Sequence, residues 1–302
     1  MRAIDLFAGL GGFTEGAEAL GIDVVWAANH WSAAVETHAA NHPRTAHLCQ
    51  DLHQADFSLV PDHDILLASP SCVGHTRARG KEASHHDAAR STAWAVVSCA
   101  EVHRPRAVVV ENVPEMRGWA LYPAWRMAMS ALGYQMGEHV LDAADVGVPQ
   151  HRKRLFLVGV RDRMPPPLGV PREAHVPASA FLRWDDGTWS PVDRPGRAAS
   201  TLSRVDAGRA RFGGRFLVAY YGTTEGGRSA ERPIGTLTTH DRYALIDGDR
   251  MRMLAVGEAR AAMGFRADYR LPPTHKLAMH MLGNAVCPPM ASWVISRTLD
   301  AA

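Results

Sequence analysis

An α/β fold, with helices on both faces of a mostly parallel sheet and a small irregular lobe attached, is predicted by three observations. Short apolar runs alternate with helix-period stretches over the first 160 residues. A glycine-rich turn joins the first such run to the first helix. From Pro165 to about Arg232 the texture then turns rich in proline and glycine. Alternation of this kind marks βαβ units, and such sheets bind ligands at the carboxyl ends of their strands.

The elements follow in order. "AIDLFA" (3–8) is the first strand and leads through glycines to the helix "FTEGAEALG"; "IDVVWAA" (22–28) precedes the helix "WSAAVETHAANH". "DHDILLA" (62–68) is followed, after a polar loop, by the helix "ARSTAWAVVSCAEVHR". "RAVVVEN" (106–112) precedes the helix "ALYPAWRMAMSALGY", and "LFLVGVR" (155–161) closes the series. "MPPPLGVPREAHVP" and "SPVDRPGRAAS" carry few helix-period patterns and read as an irregular or short-stranded lobe. "RPIGTLTTHDRYALIDGDRMRMLAVGEARAAMGF" regains a strand and a helix, and "HMLGNAVCPPMASWVISRTL" reads as a loop feeding a C-terminal helix. The expected division is a catalytic part over 1–164, a small lobe over 165–232, and a return to the first part over 233–302.

Composition narrows the function classes. With 46% hydrophobic and 21% charged residues the chain has a globular make-up, and no apolar run approaches the roughly 20 residues of a membrane span. The N-terminus enters a strand-like run directly, so a cytoplasmic protein without a membrane partner is expected. Four cysteines, at 49, 72, 99 and 287, form no CxxC pair, which argues against a disulfide framework or zinc ribbon. His85 and His86 in "SHHD" read as solvated loop residues, and no metal is expected. Residues 161–232 carry twelve Arg against eight Asp or Glu, a net +4, while the remainder nets −2. Guanidinium-rich segments suit phosphate contact, although a solvated loop region would look similar.

Four stretches carry chemistry. In "DLFAGLGGFTEG" glycines 9, 11 and 12 permit a tight turn and close ligand approach, and the absence of a following GK[ST] excludes a phosphate loop. "LASPSCVGHTRARG" puts a lone cysteine, Cys72, behind an apolar run, either as a nucleophile or as a quiet turn residue. "VVVENVP" ends a buried strand on Glu111, where desolvation raises a carboxyl pKa and lets the group share a proton; a salt-bridged strand-end glutamate is the plain alternative. "VPQHRKRLFLVG" sets Arg152 and Arg154 two apart, on one face if extended, facing an anionic or carbonyl-rich ligand or forming an edge charge pair.

In this order, with a basic segment and a late "GNAV", the pieces resemble the DNA (cytosine-5)-methyltransferases from Ile4 to Ile295. The resemblance implies a Rossmann-like, S-adenosylmethionine-dependent methyltransferase sheet with a target-recognition lobe, acting on double-stranded DNA as a monomer and held at the nucleoid through that DNA. Cytosine carbon 5 is a poor nucleophile, and a thiolate added at carbon 6 makes it enamine-like. By the resemblance Cys72 is that nucleophile, Glu111 holds the ring at N3 and the exocyclic amine, Arg154 meets O2, and Arg152 supports it. Phe7, Gly9, Gly11, Gly12, Asn29, His30, Asp51, Leu52, Pro70, Asn284, Ala285 and Val286 take the cofactor positions. The segment behind Cys72 becomes a loop that closes over a flipped base, with His75, Arg77, Arg79 and Lys81 toward DNA, joined by Arg204, Arg209 and Arg211 of the lobe. The base that removes the carbon 5 proton is assigned to no side chain.

Two positions depart from the family pattern. Asn29 stands where an acidic residue usually takes both ribose hydroxyls, a loss of about 1 kcal/mol in charge-assisted bonding that leaves a modified sulfonium donor open. Trp31 either stacks on the adenine or fills the core. "PSCV" replaces Pro-Pro-Cys-Gln and alters loop chemistry at Ser71 and Val73 while keeping the thiol. Rival readings are a tRNA cytosine-5 methyltransferase, a Cys72–His75 hydrolase and a non-catalytic DNA-binding module.

Overall fold

The computed structural model describes residues 1–71, 91–165, 167–220 and 226–299. In chain order its elements begin with β1 (Arg2–Leu6), α1 (Gly12–Glu18), β2 (Asp23–Asn29), α2 (Ser32–Asn41), β3 (Ala46–Cys49) and β4 (Ile65–Ala68). Next come α3 (Trp94–His103), β5 (Ala107–Asn112), α4 (Tyr122–Ala131), β6 (Tyr134–Asp142) and β7 (Lys153–Arg161). The second lobe contributes β8 (Ser190–Pro191), α5 (Ala199–Phe212), β9 (Arg215–Ala219), β10 (Tyr243–Asp247) and β11 (Arg250–Met253). The chain continues through α6 (Val256–Ala262), α7 (His275–Asn284) and α8 (Pro288–Leu299).

The main sheet runs β3-β2-β1-β4-β5-β7-β6. Its first five strands pair in parallel, whereas β7 lies antiparallel to both β5 and β6. Strand order reverses between β1 and β4, which opens a crevice at their carboxyl ends. Alternate residues feed two cores. Ala3, Ile65, Leu67 and Val109 face one way, onto Phe13 and Ala17 of α1 and Val294 and Ile295 of α8. Ile4, Leu66, Val108 and Val110 face the other, onto Val96 of α3 and Trp125 and Met129 of α4. Because both faces are covered, β4 and β5 are buried along their whole length, as the apolar runs require.

Three elements differ from the expectation. The stretch 280–284, expected as part of a loop, is the end of α7, a helix that buries Ala278, Met281 and Leu282. β6 is a nine-residue edge strand that the sequence reading passed over. Its run "YQMGEHVLD" mixes exposed Gln135 and half-buried Glu138 and His139 with buried apolar residues, because among the described residues one side meets no neighbouring strand. The second lobe holds α5, a 14-residue helix, where few helix-period patterns are legible. Only Thr201, Val205 and Gly208 are buried along it, a stripe too narrow to read amid arginine and small residues. The lobe's antiparallel sheet runs β8-β11-β10-β9, so it takes strands from both sides of residue 232. Arg252 of β11 and Glu258 of α6, both buried, meet through two 2.7 Å hydrogen bonds and tie this sheet to the main body.

A buried carboxyl lies under the first turn. Asp5 in β1 is wholly enclosed and accepts from Thr14 Oγ1 at 2.9 Å, and burial pushes its pKa up to about 7. The folded state therefore keeps a proton that the unfolded chain loses from 3.8 upward, so this contribution to stability falls between pH 4 and 7 and is flat above. Asp5→Asn is expected to gain on the wild type across that window, by up to about 4 kcal/mol. Urea unfolding at pH 4.5 and 8 checks it; a gain that does not grow with pH contradicts it. No helix among the described residues is long and apolar enough to cross a membrane.

Candidate active site

A cavity of about 530 Å³ opens at the switch point of the main sheet. Phe7, Ala8, Gly9 and Leu10 form its floor beyond β1, and Asn29, His30 and Trp31 its side beyond β2. Ser69, Pro70 and Ser71 follow from β4, Glu111 and Val113 from β5, Arg152 and Arg154 from the start of β7, and His280, Met281 and residues 283–286 from the end of α7 and just beyond. Phe7 has φ 61, a left-handed conformation that is a genuine outlier for an aromatic residue. The surrounding bonds hold it: Ala8 N–H donates to the Ala28 carbonyl at 3.1 Å, and Ser69 Oγ donates to the Phe7 carbonyl at 3.1 Å.

Opposite this floor stands a buried ion pair. Glu111 Oε1 lies 2.9 Å from Arg154 Nε, with both side chains largely out of solvent. Burial raises the Glu111 pKa, while the charges of Arg154 and Arg152 and the Arg154 hydrogen bond oppose it. A carboxyl so placed is poised to hold or give a proton. Arg152 plays another part. It is 1% exposed, and its guanidinium donates to the carbonyls of Leu237 (3.0 Å), Gly283 (2.8 Å) and Ala285 (2.9 Å). The carbonyl-rich ligand foreseen for it is largely the chain itself, and Arg152 fixes the "GNAV" loop against the cavity.

The approach to Cys72 is pinned from two sides. Asn112 Nδ2 donates to the Pro70 carbonyl at 3.0 Å, and Ser71 N–H donates to Thr92 Oγ1 at 3.0 Å. Cys72 itself, with His75, Arg77, Arg79, Lys81, His85 and His86, lies outside the described residues. Asn29 lines the cavity, and its Oδ1 accepts from Trp31 N–H at 3.0 Å.

Several expected residues stand elsewhere. Gly11 and Gly12 are not in the cavity wall. Gly11 has φ 91, and a Cβ there would come within 2.6 Å of the Tyr269 hydroxyl; at Gly12 it would come within 2.0 Å of the Val286 carbonyl oxygen. These glycines let the chain pack beneath the turn rather than face a ligand. Asp51 is exposed and accepts from His53 N–H at 3.0 Å, and Leu52 is buried beside it; neither lines the cavity. Arg204, Arg209 and Arg211 sit on α5, away from the cavity wall. Arg209 is engaged with Asp249 at 2.9 Å and Arg211 lies over the Phe212 ring. Sequence reasoning missed His280, whose ring meets Trp31 edge-on at 5.5 Å and whose Nε2 lies 3.2 Å from Asn284 Nδ2. Its place one helical turn before Asn284 was the available signal.

The model of the C-5 cytosine-specific DNA methylase family matches residues 1–183. The chain is 28% identical to the type II methyltransferase M.NlaX of Neisseria lactamica, over 96% of this chain and 93% of that protein. It is likewise 28% identical to the type II methyltransferase M.HgiDI of Herpetosiphon aurantiacus, over 100% and 94%. Among solved structures, an Escherichia coli prophage protein described as a DNA modification methyltransferase superposes with a TM-score of 0.75 at 18% identity, covering 100% of this chain and 99% of that one. The last likeness concerns the fold.

Proposed function

Because the chain belongs to the C-5 cytosine-specific DNA methylase family and is thereby a DNA (cytosine-5)-methyltransferase, we propose that the cavity takes both S-adenosylmethionine and a cytosine rotated out of duplex DNA. The observation that carries this reading is the Glu111–Arg154 pair, buried in the wall of a cavity at the switch point of the sheet. Its volume falls within the roughly 300–1,000 Å³ of small-molecule sites, and its wall combines apolar surface with a few convergent polar groups. Such a site suits a nucleoside with a charged amino-acid tail.

Phe7, Gly9, Asn29, His30, Pro70, Asn284, Ala285 and Val286 would hold the cofactor, which supplies an electrophilic methyl group at its sulfonium. Gly11 and Gly12 would serve it by shaping the turn. On the substrate side, Cys72 gives up its thiol proton to solvent and its sulfur bonds to carbon 6. The electron pair displaced from the 5,6 double bond moves onto carbon 5, while Glu111 gives N3 a proton and accepts from the exocyclic amine. Arg154 donates to O2. Once carbon 5 is methylated, a base removes its proton, the 5,6 double bond returns, N3 hands its proton back to Glu111 and the thiolate leaves. Removing the base from its stack costs a few kcal/mol, which the closed pocket must return.

Target readout falls to the second lobe, which we extend from the 165–232 segment to Met253 because β10 and β11 complete its sheet. The enzyme would act as a monomer. Incubation with labelled S-adenosylmethionine and either duplex DNA or tRNA tests the proposal: label is expected in DNA cytosine at carbon 5. Label in tRNA alone, or a transferred group heavier than methyl by mass, overturns it.

A further inference from the structure

Beneath the cavity floor lies a polar cluster with no place in the chemistry above. His42, at the end of α2, has a fully buried side chain. Its Nδ1 lies 2.8 Å from Glu18 Oε2 and its Nε2 lies 3.0 Å from the Tyr269 hydroxyl. That hydroxyl in turn donates to the carbonyl of Leu10, a residue of the cavity wall. A carboxylate only accepts, so Nδ1 donates to Glu18, while the tyrosine gives its one proton to the Leu10 carbonyl. Glu15, 4.0 Å from Nε2, also faces the ring.

The cluster is built into the fold. Asn41 and Arg270 exchange hydrogen bonds of 2.9 Å and 2.8 Å, which lock the end of α2 to the Tyr269 segment. Arg266 pairs with Glu15 and covers the Tyr269 ring at 4.9 Å, while Phe265 packs on it at 4.7 Å. Gly11 has no side chain because the Tyr269 hydroxyl occupies that space. Glu15, Glu18 and His42 have the residue types of a metal site, yet Arg266 already pairs with Glu15, the Tyr269 hydroxyl meets His42, and Glu18 is engaged by His42 Nδ1.

We propose that Tyr269 and His42 are positioning residues that set cofactor affinity, by holding the Leu10 carbonyl and through it the Phe7–Leu10 wall. This rests on the cavity being the cofactor site. Neither residue reaches the cavity wall, so the chemical step is left alone.

The test compares the full-length wild type with Tyr269→Phe, which keeps the ring and removes only the hydroxyl. Calorimetric binding of S-adenosylhomocysteine, without DNA, is expected to weaken about tenfold, the worth of one neutral hydrogen bond. The KM for S-adenosylmethionine is expected to rise in step, with kcat at saturating cofactor and the KM for DNA within about twofold of wild type. His42→Gln is expected to shift affinity the same way by about threefold, and it carries the test if Tyr269→Phe does not fold. Phe7→Ala reports on the cavity itself. If Phe7→Ala weakens binding and the folded clamp variants do not, the clamp is wrong and the cavity stands. If Phe7→Ala leaves binding unchanged, the cavity assignment falls. A Tyr269→Phe protein that loses kcat and DNA affinity as much as cofactor affinity is merely loosened, which also overturns the clamp.

Discussion

Glu111→Gln is expected to lower kcat by at least about a hundredfold while the KM for DNA changes little. An amide in this position still donates to N3 and accepts from the exocyclic amine, so the base is held. What it cannot do is hand over a proton as the sulfur adds at carbon 6. The pH dependence carries the sign. Burial raises the Glu111 pKa, with Arg154 and Arg152 opposing, so its acid form persists to higher pH than in an exposed glutamate. If that acid form is the working one, kcat falls as pH rises through the Glu111 pKa, and the alkaline limb is absent in Glu111→Gln. Arg154→Ala removes the first of the opposing charges, so the limb is expected to move to higher pH. It would also strand any ionised Glu111 without its partner at 2.9 Å, a loss of roughly 3–5 kcal/mol that protonation relieves. Pre-steady-state methylation rates between pH 6 and 9 for the three proteins check the order of the limbs. An alkaline limb unchanged in Glu111→Gln contradicts the assignment.

How much of this was legible follows from where each signal resides. Glu111 stood out because a carboxyl after four apolar residues is a local contradiction, and the structure places that carboxyl in the cavity wall. The central parallel strands β4 and β5 were legible because they are buried on both faces and therefore apolar throughout, whereas the exposed parallel strand β3 showed no such run. β6 was not, since an edge strand shares its surface with solvent and its run loses a clear period. Arg152 and Arg154 read as a like pair from their spacing. They part company only because Leu237, Gly283 and Ala285, each more than 80 residues away, bring their carbonyls to Arg152. Gly11 and Gly12 show the same limit. The sequence tells that the backbone needs room there, and the structure tells that Tyr269 and Val286 are what occupy it. His42 and Tyr269 lie 227 residues apart and carried no signal as a pair.

Cys72→Ala is expected to abolish methyl transfer, by at least about 10⁴-fold in kcat, with S-adenosylhomocysteine binding unchanged. The other cysteines supply the argument. Burial pushes the thiol of Cys99 up to about 12 and that of Cys287 up to about 11, so neither offers a thiolate near neutral pH. Cys49 is exposed at the end of β3 and lies outside the cavity wall, its sulfur 3.8 Å from the His30 carbonyl. Residue 72, by contrast, directly follows Pro70 and Ser71, which line the cavity and are anchored to Asn112 and Thr92. Duplex DNA carrying 5-fluorocytosine at the target makes the distinction visible. Carbon 5 then bears fluorine where a proton should be removed, so the thiolate cannot be expelled and the thioether persists. Wild-type enzyme with S-adenosylmethionine should form a protein–DNA complex that survives denaturing electrophoresis, and Cys72→Ala should form none. Cys49→Ala should trap as efficiently as the wild type. A denaturant-stable complex formed by Cys72→Ala would transfer the nucleophile's role to another residue and remove the chemical basis for reading the 70–72 turn as the catalytic edge of the cavity.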